Sequence, residues 1–296
     1  MIEFELKFQI PPDRRAAVRA FVGGRKQPAL QPVDLQAIYF DTAQRLLARS
    51  GIALRLRHEG TAWVQTLKGL APDGLGREEY NLTLEGVGDS DHPPDIDPQR
   101  HRGVPLGKRL IKLLAANSDA EANPHSGLRC SYRSNVRRLQ RHLKTRFGTV
   151  ELAFDEGHLA SEGGRLPICE LEIELISGQP MAVIDAARRW APRFDLWLDT
   201  RSKAERGDLL ARGLTVAAPR SDIAAIKLRE QHLPRAALQT ALVSVRNPIL
   251  ANASQIASGS FDDEHVHQLR VMLRRLRVCV RLFDDDPEAA ALGRPL

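Results

Sequence analysis

Charged and apolar residues alternate without a break over residues 1–8 of the chain. Because successive side chains of a β-strand point to opposite faces, this alternation predicts a strand with one charged and one apolar face. The charged face carries Glu3, Glu5 and Lys7, and the apolar face carries Phe4, Leu6 and Phe8. A single row of this kind can also be the solvated side of an ordinary half-exposed sheet. The alternation alone therefore predicts a strand. A ligand-binding site on its charged face needs support from other parts of the sequence.

The same alternation recurs at residues 54–57, which carry two arginines, and at residues 170–175, which carry three glutamates. Like charges along one strand repel, so an exposed sheet usually mixes its polar residues. Strands that are wholly basic or wholly acidic on one face suggest side chains that converge on a ligand carrying both signs. A polyphosphate with a divalent metal is such a ligand, because carboxylates bind the metal and Arg or Lys binds the phosphoryl oxygens.

Seven motifs follow one another over the first two thirds of the chain. They are Glu3-x-Glu5-x-Lys7, Tyr39-Phe40-Asp41-Thr42, Leu54-Arg55-Leu56-Arg57, Gln65-Thr66-Leu67-Lys68-Gly69, Arg77-Glu78-Glu79, Glu170-Leu171-Glu172 and Ser202-Lys203-Ala204-Glu205-Arg206-Gly207. This ordered set resembles the CYTH superfamily, the triphosphate tunnel metalloenzymes. A lone Glu-x-Glu-x-Lys would be weak support, and the ordered series is much more specific. The resemblance implies a barrel whose charged faces point inward to line a tunnel and whose apolar faces lie outward under helices.

The hydrophobic pattern predicts an α+β fold, an eight-stranded antiparallel β-barrel with flanking helices and a C-terminal helical segment. Nine extended stretches, from which we predict a barrel of about eight strands, lie at residues 1–8, 36–41, 52–59, 61–69, 77–84, 127–138, 141–147, 148–159 and 165–176. Helices are predicted at residues 16–21, 42–49, 104–116 and 181–190. A flexible loop is expected at residues 69–76. The antiparallel order favours a closed barrel over a βαβ sheet.

The resemblance also implies roles for individual side chains. Glu170 and Glu172 match ligands of a divalent metal, Mg²⁺ or Mn²⁺, and Glu174 extends their row and would orient them. Glu3 and Glu5 match a pair that either binds a second metal or orients and deprotonates the attacking water. They could instead only balance the charge of the arginines in the tunnel.

Eight basic positions match residues that bind phosphate oxygens, Arg through bidentate bonds and Lys as a point charge. They are Lys7, Arg55, Arg57, Lys68, Arg77, Arg133, Lys203 and Arg206. Arg133 depends on the register of its strand, because Arg137 and Arg138 lie close by. Lys203 and Arg206, three residues apart after a possible helix cap, are expected to point from one helical face toward the tunnel.

These residues together favour a metal-dependent inorganic triphosphatase that hydrolyses tripolyphosphate to pyrophosphate and phosphate. The sequence contains neither a Ser-His-Asp arrangement nor a GxxxxGK[ST] loop, and phosphoryl transfer mainly requires positioning and charge stabilisation. One alternative is a module that binds polyphosphate without cleaving it. Another is a CYTH enzyme acting on a nucleoside or thiamine triphosphate, including an adenylyl cyclase. With aromatic residues at 5%, no platform for an organic ring is evident.

Composition sets broader limits. The 296 residues, 43% hydrophobic and 27% charged, are typical of a soluble globular protein, and neither a membrane-span-length apolar run nor a signal-peptide pattern is present. We therefore expect a cytoplasmic protein without a membrane partner. The net charge of +6 favours a polyanionic partner without separating nucleic acid from phosphometabolites, although the motifs do not favour nucleic acid. Three distant cysteines, Cys130, Cys169 and Cys279, indicate neither a disulfide framework nor a zinc site.

The C-terminal part changes in character after a predicted linker at residues 215–220. We predict a CYTH domain at residues 1–215 and a helical segment at residues 220–296, with helices at 226–245 and 262–283. In the second helix an apolar stripe runs beside a basic stripe, a pattern that resembles the beginning of a CHAD domain. That resemblance implies binding of long-chain polyphosphate, and a solvated basic face or nucleic-acid contact is the alternative.

The C-terminal segment departs from the CHAD pattern in its length. Two helices cannot bury a bundle core by themselves, so we expect them to be loosely folded, packed on the barrel or completed by another chain. His265 and His267 are two residues apart and do not share a helical face, so a metal site between them is not favoured.

Overall fold

The computed structural model describes residues 2–24, 31–70, 77–85, 92–116, 127–222 and 234–283, although the side chains of Ile2, Glu3, Leu70, Arg77 and Pro234 lie outside that description. The chain divides into two compact units. The first contains Met1–Leu198 and Ser202–Leu214, and the second contains Asp199–Arg201 and Thr215–Leu296.

Among the described residues the first unit contains one sheet of ten strands, in which every neighbouring pair is antiparallel. The strands are β1 (Ile2–Glu3), β2 (Glu5–Gln9), β3 (Val33–Asp41), β4 (Ile52–Glu59), β5 (Ala62–Leu70), β6 (Arg77–Leu84), β7 (Arg129–Thr145), β8 (Gly148–Ser161), β9 (Gly164–Gly178) and β10 (Trp197–Leu198). Their order across the sheet is β1-β6-β5-β4-β3-β7-β8-β9-β2-β10. The predicted antiparallel sheet is confirmed.

The prediction of eight strands in a closed barrel is wrong in both the number of strands and the closure. The ladder is linear and ends at β1 and β10, and the first predicted strand is divided at Phe4. The carbonyl oxygen of Phe4 accepts a hydrogen bond from the Leu175 amide of β9 at 3.0 Å, whereas β1 before it pairs with β6. The segment thus changes its pairing partner at Phe4. Its first part, β1, lies at one end of the sheet beside β6, and its second part, β2, lies near the other end between β9 and β10.

The hairpin predicted at Glu59-Gly60 is confirmed by β4 and β5, whereas the predicted break between residues 138 and 141 is wrong. β7 runs continuously for 17 residues. Leu139 packs in the core on one face of β7 and Gln140 lines an internal cavity on the other, so both residues fit a single pleated strand. The predicted loop residues 71–76 lie outside the described part of the chain.

Five α-helices flank the sheet in the described part of the first unit. Four lie near the ranges predicted for helices, and the fifth carries Lys203 and Arg206. They are α1 (Arg15–Gly23), α2 (Leu46–Arg49), α3 (Pro105–Ala115), α4 (Met181–Trp190) and α5 (Lys203–Ala211). One apolar cluster joins the outer face of the sheet to α1 and α4 and includes Phe8, Val18, Leu171 and Val183. A second joins β4 and β5 to α3 through Leu54, Leu67 and Leu110. The apolar faces of the strands lie under helices, as predicted, and the charged faces point away from this core.

The second unit contains α6 (Pro234–Ala257) and α7 (Asp263–Arg281). The first helix was predicted at residues 226–245; residues 226–233 lie outside the described part, and the predicted end is wrong. α6 continues through Pro248 even though a proline inside a helix removes a backbone donor, and buried Asn252 supports the following turn. The side-chain amide of Asn252 donates to the Pro248 carbonyl at 2.9 Å and exchanges two hydrogen bonds with the Arg220 backbone.

α7 agrees with its prediction and exposes its basic stripe. His267, Arg270, Arg274, Arg277 and Arg281 are exposed. His265 is instead buried: its Nδ1 accepts from the Asp262 amide at 3.2 Å and its Nε2 lies 3.0 Å from the Ala217 carbonyl oxygen. The two histidines therefore do not converge. No helix among the described residues combines the length and the apolar character needed to cross a membrane.

Candidate active site

The inner face of the sheet and the first residues of α5 enclose a cavity of about 580 Å³ in the first unit. Of the described residues that line it, six are basic and six are acidic. The basic ones are Lys7, Arg55, Arg57, Lys68, Arg138 and Lys203, and the acidic ones are Glu5, Glu79, Glu151, Asp155, Glu172 and Glu174. Such a concentration of charge in a partly enclosed space is costly unless the charges compensate one another. The contacts between these side chains therefore decide the chemistry of the cavity.

Eight of the predicted site residues line the cavity: Glu5, Lys7, Arg55, Arg57, Lys68, Glu172, Glu174 and Lys203. Glu170 and Arg206 are buried and contact each other through an ion pair. The side chains of Glu3 and Arg77 lie outside the described residues, although their backbones are directly paired between β1 and β6. The roles predicted for all of these residues stay predictions.

The structure corrects the position predicted for Arg133. Arg133 is exposed on the outer face of β7, whereas Arg138 lines the cavity together with Ser134 and Val136. Residues at even positions of β7 point inward and those at odd positions point outward. The basic side chain that β7 supplies to the cavity is therefore Arg138.

Three carboxylates from β8 and β9 form the acidic centre of the site. Asp155, Glu170 and Glu172 each offer an oxygen atom within 4.8 Å of the other two. Asp155 and Glu170 are fully buried and directly paired across the two strands. Three negative charges this close repel one another, and cations must balance them.

Lys203, Arg138 and Arg206 supply those cations. The Nζ atom of Lys203 lies 2.8 Å from Asp155 and 2.8 Å from Glu172 and also pairs with Glu170. Arg138 donates through Nε and Nη2 to the two Asp155 oxygens at 2.7 and 2.6 Å, and Nη2 also contacts Glu172. This fork is the bidentate geometry in which Arg binds carboxylates most strongly.

These partners keep Glu170 and Glu172 ionised. Burial by itself would raise the pKa of Glu170, but Lys203 and Arg206 outweigh it and lower the pKa to about 2. Burial likewise opposes ionisation of Glu172, yet Lys203 and Arg138 hold its pKa well below the usual value. A cluster that stays negative at any physiological pH can hold a cation.

A second acidic group along the same cavity lacks this compensation. Burial, followed by the charges of Glu5 and Glu151, raises the pKa of Glu174 to about 7. The pKa of Glu5 is also raised, first by burial and then by the neighbouring charge of Glu172. Glu174 and Glu5 face each other in the β2–β9 pairing. This part of the cavity can exchange protons near neutral pH.

The wall formed by β3–β6 carries most of the remaining cations. Arg55 donates to the Tyr39 hydroxyl at 3.1 Å and lies 3.8 Å from Glu79, and Lys68 pairs with Glu79 at 2.5 Å. The Tyr39 ring stacks on the Tyr132 ring of β7, with centroids 4.5 Å apart. These contacts fix the direction of Arg55, so its guanidinium group faces the cavity.

α5 is held in place at one side of the cavity by its own cap and by a glycine. Ser202 and Glu205 form a reciprocal capping box at its N-terminus, which fixes the helix start next to Lys203. Gly207 lies against Tyr132 so closely that an added Cβ atom would be 2.2 Å from the ring. The backbone of α5 therefore has little freedom, and Lys203 and Arg206 are presented at a fixed distance from Glu170.

The acidic centre fits the metal predicted from the sequence. Its donors are carboxylate oxygens, the hard ligands that Mg²⁺ and Mn²⁺ prefer, and they come from adjacent strands of a rigid sheet. Glu170 and Glu172 were predicted for this role. Asp155 was not.

Asp155, Arg138, Glu79 and Glu151 are the charged cavity residues that the sequence interpretation did not assign. Residues 151, 153 and 155 share one face of β8, and the pairing of Asp155 with Glu170 places that face beside the Glu170–Glu174 row. The two-residue spacing indicates that Glu151 and Asp155 share one face of β8. The sequence does not show that this face lies beside β9, because that requires the order of strands in the sheet.

Known proteins are similar to the part of the chain that forms this cavity. The model of the CYTH domain matches residues 1–207. An inorganic triphosphatase from Haemophilus influenzae is 28% identical over 211 residues, which cover 70% of this chain and 54% of that protein. The chain thus spans about half the length of this curated relative.

Two solved structures are similar in part. A candidate adenylate cyclase from Bacillus halodurans is 20% identical with a TM-score of 0.48, covering 69% of this chain and 96% of its own. A candidate adenylyl cyclase from Hippeastrum, described as having a dominant triphosphatase activity, is 18% identical with a TM-score of 0.44, covering 73% and 98%. At TM-scores below 0.5 these two likenesses carry no argument. The family match extends over most of the chain and includes the strands and the helix that build the cavity, and the chain belongs to the CYTH domain family.

Proposed function

We propose that this chain is a metal-dependent inorganic triphosphatase that hydrolyses tripolyphosphate to pyrophosphate and phosphate within the charged cavity. The observation that carries the proposal is a cavity lined by six cations and six carboxylates, in which Arg138 and Lys203 each pair with both Asp155 and Glu172. The similarity to the inorganic triphosphatase of Haemophilus influenzae supports the same substrate class.

The basic residues of the cavity would bind the phosphate chain. Arg55, Arg57 and Arg138 offer planar N–H forks for bidentate bonds to phosphoryl oxygens, and Lys7 and Lys68 add point charges. Positive charge around the transferred phosphoryl group stabilises the negative charge of the transition state without a covalent intermediate. No nucleophilic side chain is required, because water is the attacking group.

Asp155, Glu170 and Glu172 would hold Mg²⁺ or Mn²⁺. When bound, the metal would neutralise the charge of phosphoryl oxygens and make the phosphorus more electrophilic. The proton released by the attacking water needs an acceptor with a pKa near neutrality. Glu174, with a pKa of about 7, meets this requirement, and burial also raises the pKa of its neighbour Glu5. We therefore assign proton transfer to this pair and cation binding to the Asp155 cluster.

The test is phosphate release from tripolyphosphate by the purified chain with Mg²⁺ or Mn²⁺, repeated with a chelator, with ATP and with thiamine triphosphate. We expect metal-dependent release that is fastest with tripolyphosphate. Tight binding without release would instead favour a polyphosphate-binding module. Cyclic nucleotide and pyrophosphate formed from ATP would indicate a cyclase.

The basic stripe of α7 is proposed to bind long-chain polyphosphate, supported by the exposure of its four arginines. Its assignment as the beginning of a CHAD domain, the domain limits 1–215 and 220–296, and the cytoplasmic location stay predictions. Titration of the chain with polyphosphate, compared with a variant in which Arg270, Arg274, Arg277 and Arg281 are replaced by Gln, tests the binding. Equal affinity of the two proteins would contradict it.

A further inference from the structure

We propose that Lys203 is a specificity-determining residue that competes with the divalent metal for Asp155, Glu170 and Glu172, so that metal and phosphate chain bind as a unit. This inference rests on the proposed function and goes beyond it. It states that the site binds the metal together with the phosphate chain in preference to the metal alone, and it attributes this preference to the Lys203 side chain.

The competition follows from the position of the Lys203 ammonium group. Its Nζ atom contacts all three carboxylates, at 2.8 Å from Asp155 and from Glu172 and in a further ion pair with Glu170. The oxygen atoms of the three acids that could ligate a metal lie within 4.8 Å of one another. A divalent ion bound by those oxygens would lie about 2 Å from each of them, in the volume where the ammonium sits. Two cations cannot share this volume, so the ammonium must leave when the metal enters.

Lys203 is the cation best suited to leave. Arg138 contacts two of the acids through a planar fork, and Arg206 pairs with Glu170. A lysine is a point charge on a flexible four-carbon chain and can rotate away without breaking a bidentate geometry. Lys203 also lines the cavity, which gives the rotated ammonium a place to go.

The movement is confined to the side chain. The capping box at Ser202 and the close fit of Gly207 on Tyr132 hold the α5 backbone. Lys203 is the first residue of α5, where the helix dipole disfavours a cation by a small amount. The ammonium therefore stays at this helix end because of the three acids, and it becomes available to another anion once a metal takes them.

Charge balance explains the selection. Three carboxylates are matched by Lys203, Arg138 and Arg206, so a metal ion alone would add two uncompensated charges to a buried cluster. A phosphate chain supplies oxygens both for the metal and for the displaced ammonium. The affinity of the protein for metal should rise when the phosphate chain is bound, and by linkage the reverse must also hold.

The experiment measures Mn²⁺ binding to the full chain without phosphate, by electron paramagnetic resonance and calorimetry. The proteins are wild type, Lys203→Met, Lys203→Arg and the control Lys108→Met, which changes an exposed lysine of α3. We expect Lys203→Met to bind Mn²⁺ at least tenfold more tightly than wild type. Lys203→Arg, which keeps the charge, and Lys108→Met should stay within about threefold of wild type.

A second measurement uses the non-hydrolysable imido analogue of tripolyphosphate with and without Mn²⁺, corrected for the complex that the two form in solution. Wild type should bind the analogue at least tenfold more tightly with Mn²⁺, and Lys203→Met should show a smaller increase. If Lys203→Met does not fold by circular dichroism, Lys203→Gln carries the same expectation.

A folded, neutral variant that binds Mn²⁺ no more tightly than wild type would overturn the proposal. This outcome is separate from failure of the proposed function, which is judged by tripolyphosphate hydrolysis by the wild-type chain alone. Active wild type with unchanged metal affinity in the variant would reject the role of Lys203 and leave the triphosphatase assignment standing.

Discussion

The row of glutamates on β9 contains two regions of opposite electrostatic character. Glu170 and Glu172 are surrounded by Lys203, Arg138 and Arg206, and their pKa values are lowered. Glu174, two residues further along the same face, has acidic neighbours and a pKa raised to about 7. The three residues are chemically identical and equally spaced, so the difference comes entirely from the strands and the helix beside them.

This contrast divides the cavity into a cation-binding part and a proton-exchanging part. Asp155 and α5 lie beside Glu170 and Glu172, and Glu5 and Glu151 lie beside Glu174. An acid surrounded by cations serves as a permanent negative charge, whereas an acid surrounded by acids can take up a proton near neutral pH. Two functions can thus come from one repeated residue type.

The largest effect is expected from Glu172→Gln, which removes one charge from the cation-binding part. We expect metal-dependent phosphate release from tripolyphosphate to fall about 100-fold or more, because an uncharged amide is a poor ligand for a hard metal ion. The fold should persist, as judged by circular dichroism. Glu162→Gln, which changes an exposed residue, is the matched control and should keep wild-type activity. Unchanged turnover in Glu172→Gln would remove this glutamate from the site.

Arg138→Ala tests the same part from its basic side. Losing the fork leaves Asp155 and Glu172 short of one partner, and we expect a loss of about 3 kcal/mol in the free energy of unfolding. Arg133→Ala, on the outer face of the same strand, should change stability by less than about 0.5 kcal/mol and leave activity unchanged. Urea denaturation of both variants makes the measurement. Equal effects would contradict the inward position of Arg138.

Gly207→Ala should displace α5 and so weaken the interaction of Lys203 with Glu170 and Glu172, which distinguishes them from Glu174. The new methyl group would meet the Tyr132 ring, and relief of that clash should move Lys203 away from the acids. We expect a loss of about 2 kcal/mol in stability together with lower activity. Gly103→Ala is the control, since an added Cβ there meets nothing within 4 Å. Thermal denaturation and phosphate-release assays measure the two effects. A melting temperature and a rate of phosphate release that both equal those of wild type would refute the role of α5.

Glu174→Gln should have the smallest effect on stability, and that effect depends on pH. The folded-state pKa of about 7 lies above the ordinary value of 4.5, so this residue contributes stability that is full below pH 4.5 and is lost as the pH rises through 7. In the metal-free protein, wild type should therefore lose about 1 kcal/mol more than Glu174→Gln between pH 5 and pH 8, allowing for solvent screening. Urea denaturation at several pH values measures the difference. Parallel pH profiles would show that Glu174 is not desolvated.

Much of this site could be predicted because a two-residue period fixes which side chains share a face. Glu5 and Lys7 on β2 and Arg55 and Arg57 on β4 were assigned to one interior from alternation and family resemblance, and the structure places them around one cavity. The apolar residues between them are equally regular, so the face of each strand was unambiguous.

β7 could not be resolved in the same way. Tyr132, Ser134, Val136 and Arg138 point inward while Arg133, Asn135, Arg137 and Leu139 point outward, and neither set is wholly polar or wholly apolar. Local polarity therefore left the register of Arg133 and Arg138 open. The stacking of Tyr132 on Tyr39, a contact between residues far apart in the sequence, settles which face is inside.

The difference between the cation-binding and the proton-exchanging parts of the cavity could not be predicted from the sequence for a related reason. The pKa of each glutamate depends on which residues lie beside it, and those partners come from β2, β7, β8 and α5. α6 shows a different limit, because Pro248 would ordinarily end a helix and the buried contacts of Asn252 are visible only in the folded unit.

The division of the first strand at Phe4 has a consequence for how this protein reaches its native state. β2 pairs with β9 across a long stretch of chain, as shown by Gln9 and Glu170, which bond at a separation of 161 residues. Pairings of such high contact order form slowly because a large loop must close first. During synthesis, the N-terminal strand must therefore wait for β9 to emerge before it can complete the sheet, and until then its apolar face remains exposed to aggregation or chaperone binding.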